Sequence, residues 1–167
     1  MACRSIWIYQ SLAVFFILHY ILNRMIVDQF KSLARNSYKQ FNKPASAKDI
    51  DRVVTLADEV GFSLPNSYIL FLETMGGVGL NRYMLYGVND GINDNASLFT
   101  ANDDYRNEST YNSNYFVIGE GDMELIGFDT TNHKCVVFDR IDDNMCFETF
   151  DDFNSLLAYF VESEGLR

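Results

Sequence analysis

The residues of this chain whose types and spacing could carry chemistry fall in three places. Residues 76–79, GGVG, have the glycine density of a phosphate cradle. Residues 119–129, GEGDMELIGFD, bring Glu120, Asp122 and Glu124 close together, with Asp139, Asp142 and Asp143 following, and His133-Lys-Cys135 could begin a metal site. Each fails on spacing. A phosphate loop follows a strand and opens a helix, with Lys-Ser/Thr at its end, whereas residues 76–79 follow a helical pattern and no Lys-Ser/Thr comes after them. Hard cations take oxygen ligands, but these acids do not occupy the positions of a calcium loop. His133, Cys135 and Cys146 lack a fourth zinc ligand. No serine sits in GxSxG, and His19 and His133 are the only histidines, so nucleophilic catalysis has no base in motif position. The adjacent pairs Asp103-Asp104 and Asp142-Asp143 lie in polar segments, without the burial that splits two carboxyl pKa values. The expectation is a protein that is not an enzyme, with no catalytic residue, metal or cofactor.

Bulk composition points to binding. The chain has 167 residues, is 48% hydrophobic and carries a net charge of −10, enough apolar content for one packed domain. From Met25 onward, 11 basic residues stand against 23 acidic ones. A field of that sign repels phosphates and attracts basic partners, so nucleic acid is excluded as a direct ligand. Three cysteines, Cys3, Cys135 and Cys146, form no CxxC pair. Cys135 and Cys146 lie in apolar surroundings, which predicts reduced, buried thiols and a cytoplasmic setting.

The first 24 residues differ from the rest. Residues 6–22, IWIYQSLAVFFILHYIL, are apolar almost all round, flanked by Arg4 and Arg24. Three readings fit: a start assigned upstream of a true initiator at Met25, a membrane anchor that is short for the ~20 apolar residues a span needs, or a signal peptide or additional packed helix. Residues 25–167 are expected to form a single domain.

Within that part, residues 26–40 set Ile26, Phe30, Leu33 and Tyr38 near helical spacing. Ser46-Ala-Lys-Asp49 reads as a capping box with Asp for the usual Glu, opening a helix over residues 47–60 that Gly61 closes. Pro65 suits the first turn of the next helix, in which Leu64, Tyr68, Phe71, Leu72 and Met75 face the core, with Gly76 and Gly77 as its stop. The pattern then turns strand-like, over residues 83–88, 115–118, 124–128, 134–138 and 145–148. The short polar turns between the last three predict an antiparallel meander. Between Asp90 and Asn114 a polar loop is expected, with a helical turn anchored by Leu98, Phe99 and Tyr105. Residues 153–162 form a last helix with acidic Asp151 and Asp152 at its start. The class is α+β, an antiparallel meander sheet with N-terminal helices packed on it and a C-terminal helix.

The ordered succession of these features resembles the SUKH superfamily of Smi/Knr-like proteins, over residues 26–163. It is carried by ADEVG (57–61), LPNSYILFLETMGG (64–77), YFVIGEGDMELIGFD (115–129) and FETFDDFNSLLAYF (147–160). Thr149 stands where Ser is usual, and the turn after Ile118 has fewer glycines than is common. The resemblance implies a non-enzymatic domain that binds and neutralises a cognate toxin, often a nuclease, as bacterial immunity proteins of the superfamily do. The partner would be a basic protein toxin domain, met by Asp90, Asp94, Asp103, Asp104, Glu120 and Asp122 as steering charges and by Tyr105 or Tyr111 as anchors. Two alternatives stand beside it: a regulatory or scaffold module, membrane-tethered through residues 6–22, and a metal-dependent hydrolase using the acidic turns.

Overall fold

The computed structural model describes residues 3–36, 40–88, 97–107 and 114–166, with the side chains of α1 described from residue 17 to residue 35. Helix α1, Cys3–Asn36, runs without interruption from the apolar segment into the amphipathic one. Its domain-facing residues Asn23, Val27, Phe30 and Ala34 are all buried, at the three- and four-residue steps that share one helix face. Tyr38 lies outside the described residues. Among the described residues no helix is long and apolar enough to cross a membrane.

Helix α2, Ala47–Asp58, opens with the expected capping box. The Asp49 N–H donates to Ser46 Oγ at 3.3 Å and the Ser46 N–H donates back to Asp49 Oδ2 at 3.0 Å, pairing two backbone donors the helix leaves unbonded. Its end is a Schellman closure: Gly61 sits at φ 69°, its N–H reaches the Asp58 carbonyl at 2.9 Å, and the Phe62 N–H reaches Ala57 at 3.0 Å. Helix α3, Asn66–Met75, starts one residue after Pro65, which is the N-cap residue instead of the first-turn residue the sequence suggested. Both places exploit the same fact, that proline has no N–H to leave unpaired.

The sheet is a seven-stranded antiparallel meander in chain order: β1 Gln40–Phe41, β2 Val78–Gly79, β3 Met84–Leu85, β4 Tyr115–Glu120, β5 Glu124–Asp129, β6 Lys134–Asp139 and β7 Cys146–Phe150. The five expected strands all contribute; β1 and β2, two residues each, are additional. Strands β4, β5 and β6 have four or five consecutive buried residues, so both of their faces are covered. On one face Phe128 meets Tyr68 at 5.3 Å and 74°, and Phe153 meets Tyr68 at 5.1 Å and 75°. These edge-to-face contacts add ~1 kcal/mol each beyond area burial. On the other face Phe138 packs against Tyr105 and Tyr115. Helix α5, Phe153–Ser163, is capped by Asp152, whose carboxylate accepts the Ser155 N–H at 2.8 Å.

Helix α4, Leu98–Asn107, is longer than the single turn expected and does sheet work. Strand β3 is too short to pair all of β4. The buried Asn102 side chain takes over: its Nδ2 donates to the Val117 carbonyl at 2.7 Å and to Leu98 at 2.8 Å, while the Val117 N–H donates to its Oδ1 at 2.9 Å. An amide thus stands in for the missing residue of a neighbouring strand. Replacing Asn102 by Ala leaves Val117 with two buried unpaired groups, and is expected to cost ~2–4 kcal/mol in urea unfolding; a loss under ~1 kcal/mol would contradict this role.

The glycine pair after α3 answers a second packing demand. Gly76 is in the left-handed region, φ 69°, and a Cβ there would collide with the Lys43 carbonyl, where the segment joining β1 to α2 crosses. At Gly77 a Cβ would lie 2.7 Å from the Gly87 nitrogen and 2.8 Å from Asn42 Nδ2. Gly61 has the same φ, with nothing within 4 Å of its Cβ position. Gly61→Ala therefore carries the backbone cost alone, ~1–2 kcal/mol, and Gly76→Ala is expected to cost at least ~2 kcal/mol more. Equal losses for the two variants in urea melts would remove the steric reading.

Candidate functional site

The acidic turns are built by their own carboxylates. Between β5 and β6, Asp129 Oδ1 accepts the N–H groups of Thr131 at 2.8 Å and Asn132 at 3.0 Å. Between β6 and β7, Asp139 Oδ1 accepts those of Ile141 at 2.7 Å and Asp142 at 2.9 Å. Asp side chains hold turns in this way because a short carboxylate reaches the backbone two and three residues on. The donors from Asp142 and Ile141 hold the Asp139 carboxyl below its ordinary range, since they stabilise the charged form. The next carboxyl, Asp143, is buried and accepts the Tyr105 hydroxyl at 3.2 Å, tying the turn to α4.

Ion pairs neutralise Glu120 and Glu124, which flank the β4–β5 turn. Arg140 Nη2 lies 2.6 Å from Glu120 Oε2 and 3.0 Å from the Gly121 carbonyl, and Arg82 pairs with the buried Glu124. Glu120 and Asp122 border a shallow cleft of about 240 Å³ with Arg82 and Tyr83. Tyr83 and Tyr86 have phenols pushed up, chiefly by burial, which makes them poor proton donors or nucleophiles near neutral pH.

The eight candidate partner residues separate on the structure. Asp103 and Asp104 are exposed on α4, Asp122 is exposed at the β4–β5 turn, and Glu120 is half-buried in its pair with Arg140. Tyr105 is a correction: it is 4% exposed, with its ring on Phe138 and its hydroxyl on Asp143, so it serves the core and presents no anchor to a partner. Its spacing with Leu98 and Asn102, at i, i+4 and i+7, carried that signal. Asp90, Asp94 and Tyr111 lie outside the described residues.

The thiols also divide. Cys135 is buried and its pKa is pushed up to about 12 by burial, as an inert core thiol should be. Cys146, expected to be buried, is exposed on β7, where its Sγ lies 3.2 Å from the Glu148 carbonyl. His133 is a turn residue at φ 57°, stacked on Phe62 at 5.7 Å. Among the described residues no three His, Cys, Asp or Glu side chains are grouped to hold a metal ion.

An acidic α+β domain built on a sequential meander, with carboxylates holding the turns at both ends of its sheet and paired arginines at one of them, defines the class. The chain belongs to the SUKH_5 family, described as SMI1-KNR4 cell-wall, whose model matches residues 24–161. A comparison with curated proteins finds no match.

The Asp139 turn gives a pH test. A carboxyl whose folded pKa is depressed contributes stability that is present above the unfolded pKa, near 3.8, and lost as pH falls through the folded value. The Asp139 carboxyl should titrate by NMR with a midpoint below 3.8, and the amide shifts of Ile141 and Asp142 should move with it. A midpoint at or above the ordinary value would show that those hydrogen bonds do not form in solution.

Proposed function

We propose that this protein is an immunity protein. It binds a basic, nuclease-type toxin domain by protein–protein contact and blocks it, without catalysing a reaction itself. The observation that supports this reading most directly is the net charge of −10 on a chain of the SUKH family. A toxin that grips nucleic acid must present cations where the phosphates lie. An acidic domain is steered to that same surface, and occupying it excludes the substrate. The carboxylates serving as steering charges are Asp103 and Asp104 on α4 and Asp122 at the β4–β5 turn, with Asp90 and Asp94 in the segment before α4.

The cell-wall description of the family favours a second reading, a Smi-like regulatory or scaffold module with a stable partner other than a toxin. One experiment separates the two. The full chain is co-expressed with the C-terminal domain of the toxin encoded beside its gene. Restored growth and a co-purified complex are expected, with an association rate that falls as salt shortens the screening length from ~10 Å at 0.1 M to ~3 Å at 1 M. A neighbourhood with no toxin gene, or unprotected cells with no complex, would overturn the immunity reading.

A further inference from the structure

The large apolar side chains left exposed among the described residues fall in two places. Ile17, Leu18, Tyr20, Ile21, Leu22 and Met25 are on α1, and Met123, Ile141, Met145 and Phe147 are at the end of the sheet. The second group lies at one corner of the sheet, where the β4–β5 and β6–β7 turns meet. The Arg140 N–H donates to the Met123 carbonyl at 2.9 Å and the Asp139 N–H donates to Met145 at 2.9 Å. These bonds pair the backbone of Met123 with Arg140 and that of Met145 with Asp139, and so bring Met123, Ile141 and Met145 to the same end of the sheet, where β5, β6 and β7 meet their turns. Ile141 is 76% exposed and Phe147 46%.

Phe147 is brought there by a break in the ladder. Val137 pairs with Glu148 and Phe138 with Cys146, so Phe147 is an extra residue with no partner on β6. A bulge of this kind bends an edge strand and re-aims the side chain it carries. The corner is also held in shape: Asp139 closes the turn, Asp143 fastens it to Tyr105, and Arg140 is fixed by Glu120.

We infer that this corner is the docking surface for the partner proposed above: Ile141, Met145, Met123 and Phe147 enter an apolar pocket of a basic protein domain, whose lysine or arginine rim meets Asp122, Asp142 and Glu148. The inference rests on the immunity reading and adds to it the surface used. The charge of the surroundings selects the occupant. Asp122, Asp142 and Glu148 are all exposed around the apolar group, and the nearby guanidinium of Arg140 is engaged by Glu120. A second copy of this acidic chain would bring like charges together, and the bulge interrupts the row of backbone groups that a copied strand would need. An anionic lipid surface is repelled on the same ground. The other apolar face has the opposite character, because α1 carries Arg24, Lys31 and Arg35 against Asp28, and a basic partner is not drawn to it. Methionines with one aromatic and one branched side chain, ringed by acids, have the composition of an interface core and its rim.

The test measures binding of the full chain to the C-terminal domain of the neighbouring toxin by calorimetry, with thermal unfolding alongside. Ile141→Glu and Phe147→Ala should each weaken the complex at least ~30-fold, as loss of a central anchor does. The Asp51→Asn/Asp58→Asn double variant on α2, which removes two exposed carboxylates away from this corner, should change it less than ~3-fold. Ile141, in a turn and mostly exposed, keeps the test valid if the Phe147 variant unfolds early. If wild type binds and the corner variants bind equally well, or if the α2 variant is the damaging one, the surface is wrong and the immunity reading stands. If wild type does not bind, that reading fails and takes this inference with it. If wild type is a dimer that Ile141→Glu converts to a monomer, the occupant is a second copy and the inference is overturned.

Discussion

Three central strands buried on both faces need cover on each side, and that requirement organises the molecule. Strands β4, β5 and β6 offer Phe128 to Tyr68 and Phe153 on one face and Phe138 to Tyr105 and Tyr115 on the other. Helices α3 and α5 supply the first cover and α4 the second. Because β3 ends early, α4 must also supply hydrogen bonds, and Asn102 brings them to Val117. One buried amide therefore links the position of a helix to the integrity of a strand, in the part of the interior where an unpaired polar group is most expensive.

The acidic residues, which dominate the composition, do two different kinds of work. Asp129, Asp139 and Asp152 accept backbone N–H groups and so build turns and a helix start. Glu120 and Glu124 are neutralised by Arg140 and Arg82. Asp139, Glu120 and Glu124 shape the end of the sheet where β4 turns into β5 and β6 into β7, and leave Asp122, Asp142 and Glu148 as its outward charge. Net charge sets how a partner is attracted from a distance; these local bonds set how rigid a surface it meets.

What could be read in advance was what local chemistry dictates. The Ser46/Asp49 box, the stop at Gly61, the prolyl start and glycyl stop of α3, and the β5 and β6 strands all depend on residues within a few positions of one another. The features that could not be read depend on remote partners. Two-residue strands such as β1 and β2 have no period to detect, and they form because Gly76 and Gly77 let the crossing segment around Asn42 and Lys43 approach. The bulge at Phe147 leaves no mark in the alternation of β7, and Tyr105 lies in a sequence so polar that its burial is hidden unless the spacing with Leu98 and Asn102 is counted. Cys146 shows the converse error: apolar neighbours in sequence did not make it buried, because β7 is an edge strand.

The chain-order meander also bears on how the protein folds. From β4 to β7 each strand pairs with the one made just before it, so each hairpin closes a short loop at small entropic cost. Strand β1 is different: Gln40 and Phe41 must wait for Gly79 and Val78, with α2 and α3 made in between. Local pairings form fast and remote ones late. The expected order is a β4–β7 unit that forms early and gives up its amide protons last in native-state hydrogen exchange, and a β1–β2 seam that opens first.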